Sequence, residues 1–384
     1  MNVLTADVET SIYKKGNPFD PRNFCVTIHL KVNDEKSFCK RYTEPDFISP
    51  YKTELVRADL LVGHNLKFDI HWFCNLKINP PTCGVWDTMV AEFILSGQSN
   101  SFASLDSLAE YYGLPKKLDR VKEYWEQGIS TELVPPEIVE EYGNYDVDLT
   151  HQVYLKQLAD PRMTDKIRKL ILLSGQDLLV LQEMEYTGLK YNRTRSLELA
   201  EESTKMIDLL DKELFSYANI TELNFDSDDQ LSAYLYGGSI STDVYTPHTS
   251  IIKSGPNVGK ERTINKFVRT DVVKFDGFFN PLDGTALKKD GVYSSAGDVL
   301  KQLKATTKLQ KRIIECLLTR AELSKLSGTY YEGLPKRMDL MNWTDTIHGE
   351  YNQVVARTGR LSSSKPNMQN NPAEADALFE SRYS

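Results

Sequence analysis

The chain has 384 residues, 40% of them hydrophobic, which is enough for two or three domains with separate cores. No apolar run reaches the roughly 18 residues of a membrane-spanning helix, and no basic patch precedes an apolar run at the N-terminus, which argues against a membrane protein and a secretory signal peptide. The net charge of −8 argues weakly against nucleic-acid binding, but basic stretches occur in the second half. Five scattered cysteines without metal-ligand spacing favour a reduced, soluble, intracellular protein.

The first 160 residues alternate between strand-like and helix-like patterns, which is typical of an α/β domain. A break at 158–165 (LADPRMTD) marks the end of this region. We predict strands at 3–8, 24–32 and 59–65, and helices at 67–76, 87–95, 104–113 and 135–158.

The rest of the chain is predicted to be mainly α-helical with an irregular or β insertion. Residues 165–216 have helical spacing apart from a turn at 186–194, and helices resume over 296–326. Residues 237–295 are rich in Gly, Ser, Thr, Asn and aromatic residues, which predicts an extended excursion or a mobile hairpin. Within them, 253–269 carries five basic residues against one acidic, so it is either a solvated loop or a surface for DNA or a partner.

Acidic residues stand in three short stretches: 4–10 (LTADVET), 63–69 (GHNLKFD) and 142–146 (YGNYD). Asp7 and Glu9 alternate on a predicted strand, so both carboxylates point to the same face. A like-charged pair at a buried strand end is costly unless a cation neutralises it. The alternative is a surface strand with solvated acids.

Two further acids have polar or aromatic neighbours at short spacing. Asp69 follows a buried strand and can project into a cleft, with Asn65 four residues before it. Tyr142 and Asp146 lie four apart and share one helix face, where a phenol can orient a metal-bound water. The alternatives are a helix N-cap asparagine with an exposed aspartate, and a half-buried tyrosine beside a solvated aspartate. Asp148 should face elsewhere and is expected to be a bystander.

The three acidic stretches together resemble the exonuclease motifs of the DEDD family, tyrosine subtype, which read D-x-E, N-x-x-x-D after a Gly, and Y-x-x-x-D. The segments VWDTMVAEFIL and SLDSLAEYYGL between them are similar to the proofreading domain of polymerase I. The resemblance implies a ribonuclease H-like fold that removes nucleotides from DNA 3′ ends with two Mg²⁺ or Mn²⁺ ions. It implies the metal ligands Asp7, Glu9, Asp69 and Asp146, the catalytic Tyr142, and substrate contacts at Thr10 and Asn65.

A second motif occupies residues 357–372 (RTGRLSSSKPNMQNNP), a polar loop whose side chains can reach base edges and phosphates. Composition alone also allows a flexible tail. The string closely resembles the T-G-R-L-S-S-x-x-P-N-L-Q-N segment of family A DNA polymerases, which contacts the primer–template. Met368 replaces the usual leucine, and Lys365 stands where an aspartate is common. The resemblance implies DNA contacts at Arg360, Asn367, Gln369 and Asn370.

The resemblance covers nearly the whole chain, with an exonuclease domain at 1–160 and a thumb and the start of a palm at 161–384. Residues 237–295 look like an insertion of phage-type polymerases, and a phage protein would act in the host cytoplasm. In that family the palm and fingers follow, so we expect a naturally split subunit or a fragment. DNA synthesis would then need a separate carboxy-terminal polypeptide. The other expected partners are single-stranded DNA 3′ ends and primer–template, with a processivity factor left open and no membrane.

Lysines in the second half are further candidates for DNA contact. They would bind phosphate without reading sequence, and this affinity would weaken steeply with salt. A solvated helix face is an equal alternative. The lysines in question are Lys301, Lys304 and Lys308.

Two other functions stay open at this stage. The chain could be a DNA-binding and assembly subunit with a dormant nuclease, because residues 165–384 hold no identifiable catalytic set. It could also be an RNA-trimming nuclease, although such enzymes share the carboxylates and lack the string at 357–372.

Overall fold

The computed structural model describes most of the chain. Part of the basic stretch 253–269, namely 253–259, lies outside the described residues. The described ranges are 1–116, 120–251 and 260–381.

The chain divides into two compact units. The first consists of Met1–Arg193 and Leu334–Ser384, and the second of Thr194–Gly333. The predicted domains at 1–160 and 161–384 follow motif resemblance and remain a prediction. The units differ from them because the residues after 333 pack with the amino-terminal part of the chain.

The amino-terminal part of the first unit alternates strands and helices. None of the helices in the described ranges is long and apolar enough to cross a membrane. The elements are β1 (Val3–Thr10), β2 (Cys25–Val32), β3 (Phe38–Arg41), α1 (Ser49–Arg57), β4 (Leu60–Gly63), α2 (Leu66–Asn75), β5 (Gly84–Asp87), α3 (Thr88–Leu95), α4 (Leu105–Tyr111), α5 (Arg120–Glu126), α6 (Pro136–Leu158), α7 (Asp165–Thr187) and β6 (Leu189–Tyr191).

Strands β1 to β5 form a mixed sheet in the order β3-β2-β1-β4-β5. Strand β1 pairs antiparallel with β2 and parallel with β4, which places it at the centre. Its even-numbered residues, such as Leu4 and Val8, join the apolar core with Ile70 of α2. Its odd-numbered residues face α6, where the Thr5 hydroxyl hydrogen-bonds to His151 at 2.9 Å. The two faces of β1 therefore have different chemistry.

Helix α6 lies close to the sheet because one of its residues has no side chain. A Cβ at Gly143 would overlap the ring of His29 on β2. Likewise, a Cβ at Gly175 of α7 would overlap the carbonyl oxygen of Val85 on β5. Both glycines are required for close approach of helix and strand.

Most sequence-predicted elements of this region are confirmed. The strands predicted at 3–8 and 24–32 are β1 and β2, and the helix predicted at 135–158 is α6. Helices α1 and α5 and strand β5 were not predicted. They are short, from four to nine residues, and carry too little periodicity to be recognised.

The second unit is helical and carries a long β-ribbon. Residues 237–295 contain no α-helix within their described part, which agrees with the predicted extended excursion. The two ribbon strands pair antiparallel from Gly238↔Phe275 to Ile251↔Glu261. The elements of this region are α8 (Arg193–Ala218), α9 (Asp228–Tyr236), β7 (Gly238–Ile251), β8 (Glu261–Phe275), α10 (Gly297–Leu300) and α11 (Lys308–Leu326).

The helices predicted over 296–326 are observed as two separate helices, α10 and α11. The chain leaves the helix after α10 and re-enters it at α11. A capping box starts α11: Thr307 Oγ1 accepts from the Gln310 N–H, and Gln310 Oε1 accepts from the Thr307 N–H, both at 3.1 Å. These side-chain bonds satisfy orphan backbone donors and set a new helix start.

The last part of the chain returns to the first unit in short elements. Strands β12, β6 and β9 form one small sheet, and β10 pairs with β11 in a hairpin. Strand β11 lies inside the motif at 357–372. The elements are α12 (Gly333–Met341), β9 (Thr346–Ile347), β10 (Glu350–Asn352), β11 (Ser362–Ser364), α13 (Ala373–Asp376) and β12 (Phe379–Glu380).

Candidate active site

Acidic side chains from β1 and α6 converge on one face of the sheet. Asp7 and Glu9 alternate along β1 and therefore share the face that α6 covers. Asp146 is contributed by α6. One carboxylate oxygen of each of the three acids lies within 4.8 Å of the other two. A single cation at this place could contact all of them.

The cluster is largely shielded from water. Glu9 is 8% exposed and Asp146 is 4% exposed, while Asp7 is partly buried. They are not solvated acids on a surface strand. Carboxylates at this depth lose hydration and repel one another, so their ionised forms are favoured when a cation is bound. The donor set consists of hard oxygens, which suits Mg²⁺ or Mn²⁺.

Asp69 lies beside this cluster and reaches it from α2. It is 2% exposed, and its Oδ1 accepts the N–H of Val8, the residue between Asp7 and Glu9, at 2.9 Å. Burial, and then the charge of Asp7, raises the pKa of Asp69 well above its ordinary value. The shift therefore reflects first the loss of hydration of the buried Asp69 carboxylate and second its closeness to Asp7.

Tyr142 stands one helical turn before Asp146 on α6 and is 6% exposed. Its ring packs edge-to-face on Trp125, with 5.8 Å between the ring centroids. The Trp125 Nε1–H donates to Thr131 Oγ1 at 3.0 Å, and that hydroxyl donates to the Thr10 carbonyl at 2.6 Å. Trp125 and Thr131 were not predicted from the sequence, because nothing in their own segment marks them as neighbours of the motifs.

Two regions of the chain match models of known protein families. Residues 1–159 match the family model described as 3′–5′ exonuclease, and residues 275–383 match the model of DNA polymerase family A. The amino-terminal part of the chain is thus similar to 3′–5′ exonuclease domains, and its carboxy-terminal part is similar to family A DNA polymerases.

Curated relatives of the chain are much longer than the chain itself. It is 27% identical over 323 residues to DNA polymerase I of Chloroflexus aurantiacus, covering 82% of this chain and 29% of the relative. It is 26% identical over 316 residues to DNA polymerase I of Treponema pallidum, covering 82% of this chain and 26% of the relative. The chain thus spans less than a third of these relatives.

A solved structure supports the fold. The chain is similar to the POL domain of Pol1 from M. smegmatis in complex with DNA primer-template and dNTP, with a TM-score of 0.64 and 17% identity. The match covers 98% of this chain and 53% of that chain.

A buried aspartate organises the second acidic stretch, residues 63–69. Asn65 occupies the N-cap position of α2 with a left-handed φ of 56° and makes no side-chain cap hydrogen bond. Asp87, at the end of β5, instead accepts the Leu66 N–H at 2.8 Å and the Met89 N–H at 2.9 Å. One carboxylate therefore holds the starts of both α2 and α3. Asp87 was missed in the motif analysis, although an Asp at a strand end before a helix is an N-cap signal.

A cavity of about 400 Å³ adjoins Glu9 of the acidic cluster. Thr10, a predicted substrate contact, lies in its wall, and its hydroxyl donates to the Ser11 carbonyl at 3.1 Å. Other residues lining the cavity are Glu9, Lys15, Phe68 and Trp125. It combines apolar and aromatic walls with a carboxylate edge and a lysine, as a nucleotide-sized site requires.

The polymerase-like loop at 357–372 presents its predicted DNA contacts to solvent. Lys365 forms an ion pair with Glu350 at 3.0 Å, so its charge is partly neutralised within the β10–β11 hairpin. Asn367 Oδ1 accepts the Gln369 N–H at 2.9 Å, which shapes the turn. All four predicted contact residues have exposed side chains: Arg360, Asn367, Gln369 and Asn370.

The three predicted phosphate-binding lysines belong to the second compact unit and are exposed. Lys301 follows α10, Lys304 lies between α10 and α11, and Lys308 begins α11. They are therefore not on one helix face, because the capping box separates them.

Proposed function

We propose that this protein is a 3′–5′ exodeoxyribonuclease that removes nucleotides from DNA 3′ ends by two-metal hydrolysis, as the proofreading part of a family A DNA polymerase. The observation that carries the proposal is the convergence of Asp7, Glu9 and Asp146, whose carboxylate oxygens lie within 4.8 Å of one another. The Asp69 carboxylate lies beside them and accepts the N–H of Val8, the residue between Asp7 and Glu9. The sheet order β3-β2-β1-β4-β5, in which β2 is antiparallel to β1, supports a ribonuclease H-like fold.

The acids of this site would hold the metal, and the tyrosine would act on water. Two divalent cations, when bound, supply Lewis-acid activation of a water and neutralise charge on the phosphate. Asp7, Glu9, Asp69 and Asp146 offer the hard oxygen ligands for them. Tyr142 is held by Trp125, so its hydroxyl can orient a water toward the scissile phosphorus.

Substitution of Asp7 tests the nuclease directly. Asp7→Ala should reduce Mg²⁺- or Mn²⁺-dependent release of mononucleotides from single-stranded DNA by about 10³-fold or more, because a shared ligand is lost. The matched control is Asp148→Asn. Asp148 lies on α6 two residues after Asp146 and accepts from Lys31 and Ser37, both at 2.9 Å. Its substitution should leave release near the wild-type rate. Equal, background-level release by wild type and Asp7→Ala would refute the proposal.

A comparison of substrates tests the RNA-trimming alternative. An RNA oligonucleotide of matched sequence should be degraded more slowly than the DNA; faster degradation of RNA would favour that alternative.

We further propose that the loop at 357–372 and the second unit hold primer–template, and that DNA synthesis involves a palm and fingers supplied by a separate polypeptide. The exposure of Arg360, Asn367, Gln369 and Asn370 supports a binding surface. Within the described residues, the group of three acids that could hold a metal lies at Asp7, Glu9 and Asp146, in the exonuclease domain. Mixing the protein with a palm-and-fingers polypeptide should give dNTP-dependent primer extension. No complex on gel filtration and no extension would contradict the proposal. A processivity partner and a phage-type role for 237–295 remain predictions.

A further inference from the structure

A buried carboxylate outside the catalytic cluster joins distant segments of the first compact unit. Glu185, near the end of α7, is 2% exposed. Its Oε1 accepts from Lys67 Nζ at 2.5 Å and from the Tyr351 N–H at 2.6 Å, and its Oε2 bonds to His71 Nε2 at 2.9 Å. Lys67 Nζ also donates to the Tyr351 carbonyl. One carboxylate thus binds α2 and β10 at the same time.

On one side, this network holds the helix that carries a proposed metal ligand. Lys67 and His71 lie four apart on α2 and share a face, while Asp69 lies between them. Asp69 bonds to the Val8 N–H of β1. Helix α2 is therefore held to β1 through Asp69 and to α7 through Glu185.

On the other side, the network leads into the loop with the proposed DNA contacts. Tyr351 of β10 pairs with Ser363 of β11. The Ser363 hydroxyl oxygen accepts the Met368 N–H at 3.0 Å, one residue after Asn367. The path from this loop to Asp69 therefore runs through β11, β10, Glu185 of α7 and helix α2.

The burial of this carboxylate calls for a role beyond stability. Burying an ion pair is often no better for stability than an apolar replacement, so this network is explained better by the positions that it sets for α2 and β10. A cavity of about 550 Å³ is lined by the three residues of the network, Lys67, His71 and Glu185. Asn65 of the second acidic stretch and Lys365 of the loop also line it. A single strand in that cavity would touch residues of both the nuclease helix and the loop.

We propose that Glu185 is a positioning residue that couples the loop at 357–372 to helix α2, so that DNA held by the loop sets the placement of Asp69. The inference rests on the proposed nuclease and primer–template functions. A shift of β10 on DNA binding moves Tyr351, and the shared carboxylate passes that shift to Lys67 and His71. No proton transfer is involved.

The first test follows backbone hydrogen exchange without metal or DNA. Glu185→Gln places an amide donor against the donors of Lys67 and His71, so amides of α2 and of β10 should exchange about tenfold faster or more. Lys67→Met, which removes the donor on α2, should also accelerate exchange in β10. The matched control, Glu183→Gln, changes an exposed acid on the same helix and should leave both segments unchanged. Exchange in Glu185→Gln equal to wild type in both segments would overturn the proposal.

The second test measures the coupling itself. With a chelator present, binding of primer–template should slow exchange in both β11 and α2 of the wild type, but only in β11 of Glu185→Gln. An equal response of α2 in both proteins would overturn the proposal.

The third test is kinetic. On a short single-stranded oligonucleotide, Glu185→Gln should lower kcat about tenfold with KM within about twofold, since Asp69 is displaced while strand binding is retained. If the wild type itself releases no nucleotide, the proposed nuclease fails, whereas the metal-free exchange comparison still decides the role of Glu185.

Discussion

At the scale of single residues, the site depends on carboxylates placed at two different periodicities. Asp7 and Glu9 use the two-residue period of a strand, whereas Tyr142 and Asp146 use the four-residue spacing of a helix. These relations are local, so they could be predicted from the sequence. The place of Asp69 beside them depends on the register of α2 against β1, which no local pattern specifies.

His29 gives a prediction at this scale. It is fully buried, and its ring bonds to Thr27 Oγ1 at 2.8 Å and to Asn144 Oδ1 at 3.1 Å. Burial lowers the pKa of His29 from 6.5 to about 4. The neutral ring is therefore favoured in the folded state, and its contribution to stability is complete above pH 6.5 and is lost as pH falls toward 4. Between pH 7 and pH 5 this single group should remove about 2 kcal/mol from the free energy of unfolding.

The measurement is urea unfolding at both pH values for wild type and His29→Gln. The variant keeps a polar side chain without a titrating ring. Between pH 7 and pH 5 its free energy of unfolding should therefore fall by about 2 kcal/mol less than that of the wild type. His71 and His151, whose pKa values burial also lowers, remain in both proteins and cancel in the difference. An identical pH dependence of wild type and variant would contradict the prediction.

At the scale of elements, the outcome of the sequence analysis depended on length and on capping. Long periodic segments such as α6 and α7 were predicted close to their observed limits. Helices were predicted over 296–326 without a boundary between them, and the reciprocal bonds of Thr307 and Gln310 set where the second helix begins. A capping residue inside a periodic pattern thus decides the boundary when the side chain is free to turn back on the backbone.

The close approach of α7 to β5 gives a prediction at this scale. Gly175→Ala should lower the free energy of unfolding by about 1–3 kcal/mol, because the new methyl group overlaps the Val85 carbonyl oxygen and helix and strand must separate. Chemical denaturation measures this change. The control position is Gly328, in the π-helical turn Ser327–Tyr331, where no described atom lies within 4 Å of an added Cβ. Gly328→Ala should therefore be neutral or stabilising by up to about 1 kcal/mol. Equal effects of the two substitutions would show that helix propensity, and not overlap, dominates.

At the scale of the whole molecule, a net charge of −8 accompanies a proposed DNA-binding function. Net charge counts all residues equally, whereas binding depends on the few cations that reach phosphate. Lys301, Lys304 and Lys308 are exposed and lie within eight residues of one another. The acidic total is therefore compatible with a local basic surface.

Salt dependence tests this surface. Replacing the three lysines by Gln should weaken primer–template binding and reduce the slope of log binding constant against log salt by roughly 2 to 3, since each phosphate contact contributes roughly 0.9. The matched control replaces the exposed Lys166, Lys169 and Lys212 by Gln, which conserves the total charge change and should leave the slope nearly unchanged. Equal slopes for wild type and the first triple variant would mean that these lysines are a solvated surface.

The sequence by itself determined the chemistry of the candidate site. The spacing of Asp7 with Glu9 and of Tyr142 with Asp146 sets which side chains share a face once strand and helix form, because this depends only on backbone geometry within one element. The contacts of Asp87, Trp125 and Glu185 were decided only by the tertiary structure. Each joins segments far apart in the chain, and the distances between such segments depend on sheet register and helix packing, to which every buried residue contributes.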